Sequence, residues 1–469
     1  MIVTIAIVSL LALGWFAACW VLSQRHPEPL WDWDSIDTND VEFPDGFIWG
    51  SATAAHQVDG GNENSNWSRW EKSVDEKGKP RVHNGDCAGD AADHWNRFPE
   101  DIDMMRDELG LNSYRFSIEW SRVEPEEGRF DEDVIAHYHD LIDTLIDAGV
   151  TPMVTLHHFT NPLWFEDKGG FEPEENIALF VRFSQRMFEE FGDKVPRWCT
   201  INECGPYAVM GYGLGVFPPG VKKFKRMAVV LYHLMLAHTA VYDMIKSMPG
   251  GDKVQVGLVK NIFQFDPLHR WNLFHWILCR VANGAYNESI LGYIERGEFR
   301  VRIPTQVNFV RHNPEAAGKT DFIGLNYYAN LILSLFMKME PPFEPHARQS
   351  QILTDMPYAI YAEGFYRAFM RLKPLNKPII VTENGIADDK DDRRAVWIQR
   401  YIYAMSQAIK DGADVRGYHY WSLMDNFEWA EGWQMAFGLY EVNFETQERR
   451  LREGSLAYCD IIAKWSNDE

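Results

Sequence analysis

Eight short apolar runs recur along this chain, and the sequence between most of them has a helical pattern. The runs are FIWGSAT (47–53), SYRFSIEW (113–120), TPMVTLHH (151–158), PRWCTIN (196–202), VQVGLVKN (254–261), DFIGLNYY (321–328), PIIVTE (378–383) and VRGYHYWSL (415–423). Each is short, apolar and rich in the β-branched and aromatic residues that favour buried strands. Strands that alternate with helices indicate a parallel sheet.

Clear helical patterns precede four of the runs. They are EDIDMMRDELG (100–110), VIAHYHDLIDTLIDAG (134–149), IALFVRFSQRMFEEFGD (177–193) and AVWIQRYIYAMSQAIKDG (395–412). Eight strand–helix units predict an α/β fold, a single (β/α)8 (TIM) barrel, and the wide spacing of the runs predicts inserted βα loops. A doubly wound open sheet is the alternative. That fold usually has a Gly-rich phosphate turn after its first strand, and WGSATAAHQVDG is not such a turn.

The N-terminus differs from the rest of the chain. Residues 2–22 form an uncharged apolar stretch, about as long as a helix needs to cross a bilayer. We predict a transmembrane anchor at 1–22, an acidic tether at 23–40 and the barrel domain at 41–469. A secretory signal is the alternative, but the basic segment that opens such signals is missing. Arg25 follows the span and no Lys or Arg precedes it, which favours a barrel on the cytoplasmic side of the membrane.

Charge and cysteine content exclude some partners. The formal net charge is −22, so a phosphate backbone would be repelled and we expect no nucleic-acid partner. The six cysteines are scattered, without the spacing of a zinc site or a disulfide framework. Five thiols in the globular part favour a reducing compartment. Nothing in the sequence indicates an oligomeric state.

Polar and aromatic side chains end several of the runs, and in a barrel these ends meet at one mouth. They are Arg115, His158, Asn202, Glu203, Asn326, Tyr327, Tyr328, Glu383, Asn384 and Trp421, with Glu428 and Trp429 just beyond. Two carboxyls at one mouth suit the cleavage of a glycosidic bond, which needs an acid for the leaving oxygen and an anion for the oxocarbenium-like centre. At a separation of about 5–5.5 Å they would give a retaining double displacement.

No metal is needed for this chemistry, and none is expected. His157 and His158 are adjacent on a strand, so they point to opposite faces and cannot share one ion. Each candidate also has a structural alternative: a strand-end glutamate can cap a helix or pair with a cation, and Arg115 or His158 can belong to the core. The joint arrangement favours catalysis over these separate alternatives.

Several segments resemble motifs of glycoside hydrolase family 1. TINEC resembles T-[FL]-N-E-P, and IIVTENGIA resembles I-T-E-N-G; FIWGSATAAHQVDGG, YRFSIEWSRVEPEEG, VTLHHFTNPLW, GYGLGVFPPG, DFIGLNYY and WSLMDNFEW extend the likeness from about residue 43 to 465. The resemblance implies a retaining β-glycosidase without a cofactor. It implies first of all a β-glucosidase, with galactosidase and fucosidase activity as further options.

The resemblance also implies a role for each candidate residue. Glu383 matches the nucleophile and Glu203 the acid/base. Arg115 and Tyr328 match the groups that keep the nucleophile ionised, with Asn326 as a supporting polar residue. The expected substrate-binding residues are Gln57, His158, Asn202 (on the 2-hydroxyl), Trp421 (the stacking platform), Glu428, Trp429 and Phe437.

The chain departs from the family pattern at four places. Cys204 stands where the family has Pro, Phe159 replaces Trp, 356–358 reads Met-Pro-Tyr instead of Met-Gly-Trp, and Ala436 replaces Arg. None removes a catalytic group, so they leave open which leaving group the enzyme prefers. A β-glycoside or a glycolipid is the expected substrate, and the membrane is a partner through the N-terminal helix. The alternatives are a membrane-associated transglycosylase acting on glycolipids and a non-catalytic sugar-binding protein, which the intact Glu203 and Glu383 disfavour.

Overall fold

The protein is built on a closed barrel of eight parallel strands, seen in a computed structural model that describes residues 2–335, 347–348 and 352–466. The strands are β1 (Ile48–Ala52), β2 (Ser113–Ser117), β3 (Thr151–His157), β4 (Arg197–Ile201), β5 (Gln255–Asn261), β6 (Phe322–Asn326), β7 (Ile379–Asn384) and β8 (Val415–Trp421). Each strand pairs with its neighbours in the sequence, and β8 closes onto β1. All eight predicted runs and the (β/α)8 fold are confirmed.

Burial on both faces explains why the strands read as continuous apolar runs. Six strands each contribute one side chain to a small apolar cluster, formed by Ile48, Met153, Cys199, Val259, Phe322 and Ile380. Packing there is tight: a Cβ on Gly257 would lie 2.6 Å from the ring of Phe322. The barrel is thus filled with side chains, and the polar groups at the strand ends lie at its mouth.

The long helices between the strands form the outer layer of the barrel, and further helices lie in the loops and at the N-terminus. In chain order the α-helices are Ile2–Arg25, Ala55–Val58, Asn66–Glu71, His94–Asp107, Trp120–Val123, Glu132–Asp147, Leu163–Asp167, Ile177–Phe191, Cys204–Ala208, Phe224–Ser247, Leu273–Asn283, Ser289–Arg296, Ala362–Leu372, Arg394–Lys410 and Leu456–Ser466. The four predicted helices are all present. The first of them begins at His94 and includes Pro99, whereas the pattern predicts a start after this proline.

Insertions lengthen the loops at the mouth, as the spacing of the runs predicts. After β5 and β6 the chain forms two short strands, Gln264–Pro267 and Asn330–Leu333, which pair in parallel. Between the first of these strands and β6 lie two α-helices and the hairpin Glu298–Ile303/Val307–His312, which leads from helix Ser289–Arg296 to the start of β6. A second hairpin, Tyr440–Asn443/Glu448–Leu451, follows β8.

The N-terminal helix, Ile2–Arg25, lies largely outside the packed structure and ends three residues later than the predicted span. The most apolar 18-residue stretch of this helix, within Val3–Arg25, has a mean hydropathy of 2.3, and 6% of that stretch is buried. Phe224–Ser247 is also long and apolar enough to cross a membrane, but 61% of its most apolar stretch is buried. The latter is therefore a core helix, while the N-terminal helix is a candidate membrane span that a signal sequence would also match.

The segment that follows this helix packs on the barrel. The backbone N–H of Trp31 and the indole N–H of Trp33 donate to Oε1 of Glu363 at 2.8 and 3.1 Å. Both indole rings also contact Tyr403, at 5.8 and 6.0 Å between ring centres. The division of the chain at residues 22 and 40 stays a prediction, and these contacts show that part of the predicted tether is held against the barrel.

Candidate active site

Glu383 lies near the end of β7, and both oxygens of its buried carboxylate have partners. Nη1 of Arg115 donates to Oε1 at 2.8 Å, and the hydroxyl of Tyr328 donates to Oε2 at 2.8 Å. Arg115 comes from β2 across the barrel, and Tyr328 follows β6. A buried carboxylate is costly without partners, and here a cation and a phenol bind one oxygen each.

An irregularity in β7 accompanies the position of this carboxylate. Val381 pairs with Leu325 of β6, yet Glu383 pairs with Asn326, so Thr382 is an extra residue on the β7 side. Such a bulge changes the direction in which the following side chain points. The hydroxyl of Thr382 donates to Oδ1 of Asn326 at 2.6 Å, which ties the bulge to the neighbouring strand.

Arg115 also holds the polar groups beside Glu383. Its Nη2 donates to Oδ1 of Asn202 at 2.8 Å, and its Nε donates to Oγ1 of Thr155 at 3.0 Å. The Asn202 amide lies 3.0 Å from Nε2 of His158. Burial, and then the charge of Arg115, hold the pKa of His158 well below its ordinary value, so the ring is neutral and accepts this hydrogen bond. Its Nδ1 has no hydrogen-bond partner among the residues that the structure describes.

Glu203 follows β4 and has a different environment. Its backbone has a φ of 47°, in the left-handed region, and such strained residues cluster at functional sites. Nδ2 of Asn326 donates to Oε1 of Glu203 at 2.8 Å. Burial, and then the negative charge of Glu383, raise the pKa of Glu203 to about 7, although the hydrogen bond from Asn326 and the charge of Lys260 act in the opposite direction. Glu203 is therefore a carboxyl that keeps its proton near neutral pH.

A second set of polar residues surrounds Gln57, which lies in the short helix after β1. Its Nε2 donates to Oδ1 of Asn426 and the backbone oxygen of Phe427, both at 2.8 Å, and lies 3.2 Å from Oε2 of Glu428. Burial, followed by the charge of Glu383, raises the pKa of Glu428 to about 8. The amide oxygen of Gln57 is buried and has no partner in the described part of the chain, so it is an available acceptor.

Aromatic rings complete the mouth. Trp421, at the end of β8, lies 5.8 Å from the ring centre of His158, with 28° between the two planes. Trp429 lies 6.1 Å from the same histidine at 21°, and Phe437 contacts Tyr328 at 6.0 Å. The structure thus brings all of the predicted site residues to one end of the barrel.

Sequence reasoning missed a buried lysine at this site. Lys260, near the end of β5, has its Nζ 4.2 Å from the centre of the Tyr286 ring and donates to the backbone oxygen of Asn261. Burial lowers the pKa of Lys260 to about 7. The hydroxyl of Tyr286 donates to Oδ1 of Asn261 at 3.0 Å. The detectable signal is a lysine in the otherwise uncharged run VQVGLVKN.

The departures from the family pattern lie around the same mouth. Burial raises the pKa of Cys204 to about 12, so this thiol stays protonated and does not compete as a nucleophile. Phe159 contacts Trp429 at 5.2 Å between ring centres. Pro357 is exposed, and Tyr358 lies 6.5 Å from Phe263.

Two buried carboxyls, one ion-paired and the other with a raised pKa, suit an enzyme that cleaves glycosidic bonds. Comparison with known proteins narrows this class. The family model of glycosyl hydrolase family 1 matches residues 39–467. Beta-glucosidase A of Thermotoga maritima is 32% identical over 456 residues, which cover 90% of this chain and 98% of that protein. Beta-glucosidase A of Acetivibrio thermocellus is also 32% identical, with the same coverage.

Solved structures are equally similar. A beta-glycosidase from Pyrococcus horikoshii superimposes with a TM-score of 0.81 at 36% identity, covering 91% of this chain and 96% of that one. A Thermotoga maritima beta-glucosidase in complex with glucoimidazole has a TM-score of 0.81 at 30% identity, covering 90% and 99%. The chain belongs to glycosyl hydrolase family 1, and it is a glycosyl hydrolase. The resemblance found in the sequence is thereby confirmed.

Proposed function

We propose that this protein is a retaining β-glucosidase that removes terminal nonreducing β-D-glucosyl residues by double displacement. The observation that carries the proposal is the contrast between Glu383 and Glu203. Glu383 is paired with Arg115 at 2.8 Å, whereas Glu203 binds an amide and has a pKa raised to about 7. A nucleophile must be ionised and a general acid must hold a proton, and these surroundings favour those two states.

In the first step, a carboxylate oxygen of Glu383 attacks the anomeric carbon. Glu203 gives its proton to the glycosidic oxygen, the carbon–oxygen bond breaks, and the aglycone leaves as an alcohol. The product is a glycosyl ester of Glu383, with the anomeric centre inverted once. The hydrogen bonds from Arg115 and Tyr328 orient the carboxylate before the attack.

In the second step, Glu203 acts as a base. Esterification removes the negative charge of Glu383, which is one of the causes of the raised pKa of Glu203. The pKa of Glu203 therefore falls, and its carboxylate accepts a proton from water. The water oxygen attacks the anomeric carbon, the ester bond breaks, and Glu383 is regenerated with β-glucose as the product.

The remaining site residues would bind the sugar. Asn202 lies between Arg115 and His158, where its amide can meet the 2-hydroxyl. Gln57 and Glu428 adjoin each other and would bind hydroxyls on the far side of the ring. Trp421, Trp429 and Phe437 provide apolar faces, and sugars stack on such rings through their C–H groups.

We propose further that helix Ile2–Arg25 is retained as a single-pass membrane anchor, with the barrel on the cytoplasmic side. Its high mean hydropathy and small buried fraction support this role. The family match begins at residue 39, so the helix precedes the matched region. A cleaved signal would leave the mature protein without this helix, and N-terminal sequencing of protein purified from membranes separates the two outcomes.

Turnover of an aryl β-glucoside tests the activity directly. Glu383→Gln should abolish release of the phenol while circular dichroism and the unfolding midpoint stay close to those of the wild type. Glu363→Gln is the matched control, because Glu363 binds Trp31 and Trp33 outside the mouth, and it should keep its activity. NMR should show β-glucose as the first-formed anomer. Initial α-glucose would contradict retention, and undiminished activity in Glu383→Gln would contradict the assigned nucleophile.

A further inference from the structure

We propose that the outer face of helix Leu273–Asn283, together with Trp271, is a membrane contact that lies in the lipid beside the N-terminal helix. This inference rests on the proposed anchor. It goes beyond the anchor because it fixes how the barrel is oriented on the bilayer. It also names the substrates that the mouth would meet, which are β-glycosides carried on lipids.

Helix Leu273–Asn283 has its apolar residues on both sides. His275, Trp276 and Cys279 face the protein and are buried. On the outer side, Trp271, Phe274 and Ile277 are 59%, 52% and 49% exposed. A surface helix of a globular protein normally presents polar residues to water, and a cluster of large apolar side chains there marks an interaction site.

The exposed face adjoins the N-terminal helix. The indole N–H of Trp15 donates to the backbone oxygen of Trp271 at 2.8 Å, and Cys19 Sγ lies 3.2 Å from the same oxygen. The ring of Trp15 also packs edge-to-face on Phe274, with 5.2 Å between ring centres. The apolar surface of the candidate span therefore continues directly onto the outer face of helix Leu273–Asn283. A bilayer that surrounds the span would also contact this face.

Polar contacts join the barrel to the residues that follow the candidate span. Nη2 of Arg270 donates to the backbone oxygens of Ser23 and His26, at 3.2 and 2.6 Å. Arg348 binds Glu28 through two nitrogens, at 2.9 and 2.7 Å. Basic and aromatic residues at this level are typical of the membrane–water interface. The barrel is thus held at a defined position relative to the helix.

The depth at which Phe274 would lie in a bilayer agrees with the depth that interfacial helices reach. Trp15 lies seven residues before Leu22, the last residue of the predicted span. At about 1.5 Å per residue, its partner Phe274 would lie roughly 10 Å below the boundary. Apolar faces of interfacial helices reach about 5–10 Å into the headgroup and acyl region. A bilayer therefore covers both surfaces at once.

The location of the contact determines what reaches the active site. Helix Leu273–Asn283 belongs to the insertion after β5, at the end of the barrel where the strands finish. Glu203 and Glu383 lie at the same end. A bilayer against this helix brings the mouth close to the membrane surface, within reach of a sugar headgroup on a lipid.

Spin labels in the full chain, reconstituted in phosphatidylcholine vesicles, test the contact. Labels are attached at Phe274→Cys and Ile277→Cys, with labelled wild type as the background from native cysteines. Ile146→Cys is the matched control, because Ile146 is 43% exposed but lies where Glu132–Asp147 leads into the start of β3, at the opposite end of the barrel. Power saturation should show collisions with oxygen at residues 274 and 277, and with a water-soluble nickel chelate at residue 146.

Two results would overturn the proposal. One is nickel accessibility at residues 274 and 277 equal to that at residue 146. The other is dipolar broadening that disappears on dilution with unlabelled protein, since a second copy would then cover the face. Turnover of a soluble aryl β-glucoside by the same labelled samples is scored separately, so loss of the proposed activity is distinguishable from loss of the membrane contact.

Substrate choice provides a second test. Phe274→Glu combined with Ile277→Glu should lower hydrolysis of a long-chain alkyl β-glucoside embedded in vesicles at least several-fold. Hydrolysis of the soluble aryl glucoside should not change. Ile146→Glu should change neither rate. Equal rates of the double variant and the wild type on the embedded substrate would contradict an orientation that serves lipid-borne sugars.

Discussion

Arg115 and Glu383 form an ion pair inside the barrel, with 2.8 Å between Nη1 and Oε1 and neither side chain more than 5% exposed. A buried pair is favourable only when the remaining donors and acceptors are satisfied. The other arginine nitrogens bind Asn202 and Thr155, and Tyr328 binds the second carboxylate oxygen. Arg115 thus positions the proposed nucleophile and a sugar-binding amide together.

Arg115→Lys should lower kcat/KM for aryl β-glucosides by about one to two orders of magnitude, as expected for loss of hydrogen bonds to a charged group. A lysine keeps the charge but has one nitrogen, so it cannot bind Glu383, Asn202 and Thr155 at once. Arg449→Lys is the control, because Arg449 forms an equally buried pair with Asp101 outside the mouth. Its kcat/KM should not change. Similar kinetic losses in both variants would mean that Arg115 affects activity only by stabilising the fold.

The raised pKa of Glu203 predicts that kcat/KM falls on the alkaline side of its pH profile. The acid must be protonated to assist departure of the aglycone, and its protonated fraction falls as the pH rises through about 7. The value of kcat/KM for a poor leaving group should therefore decline tenfold per pH unit well above that value. A good leaving group, such as a dinitrophenolate, needs no proton, so its profile should lack this limb. The same limb for both substrates would contradict the assignment.

Lys260→Met should move that limb to higher pH. The charge of Lys260 lowers the pKa of Glu203, because a nearby cation favours the carboxylate. Removing the cation therefore raises the pKa of Glu203 and moves the limb to higher pH. Because the pKa of Lys260 is itself lowered to about 7, the lysine is only partly charged in this range, and the shift should be smaller than a full charge would give. Lys410→Met is the control, since Lys410 pairs with Asp40 at the surface. An unmoved limb in Lys260→Met would show that the lysine only packs against Tyr286.

Much of this architecture can be predicted from sequence because the relevant signals are local. A strand buried on both faces must be apolar throughout, so all eight runs were detectable. The polar residues that end those runs share one mouth by the geometry of a parallel barrel, and this brought Glu203, Glu383 and Arg115 together as candidates. The family motifs then assigned individual roles that burial and spacing alone leave open.

The features that sequence reasoning missed depend on contacts between distant parts of the chain. The segment at residues 23–40 is polar and acidic, which predicts a free tether. In the structure, however, Trp31 and Trp33 both donate to Glu363, more than three hundred residues away. Lys260 breaks the pattern of its strand, but only the fold shows that it lies near Glu203. The bulge at Thr382 likewise depends on the register with β6.

Glu428 should determine how strongly the enzyme depends on the sugar's 6-hydroxyl. Glu428→Ala should cost about 1–3 kcal/mol in transition-state binding of glucosides, the range for leaving a buried polar group without its partner. Xylosides lack the 6-hydroxymethyl group, so their loss should be smaller. Comparing kcat/KM for aryl glucosides and aryl xylosides in wild type and variant measures the difference. Identical losses for both substrates would mean that Glu428 does not reach that hydroxyl.

Trapping the covalent intermediate is the sharpest test of Glu383 as the nucleophile. A 2-deoxy-2-fluoro-β-glucosyl fluoride should inactivate the enzyme, because the ring fluorine slows both steps while the good leaving group still allows the first. Peptide mass spectrometry should then find one fluoroglucosyl group, as an ester on Glu383. An adduct on Glu203 or on any other residue, or full inactivation without a covalent adduct, would rule out Glu383 as the nucleophile.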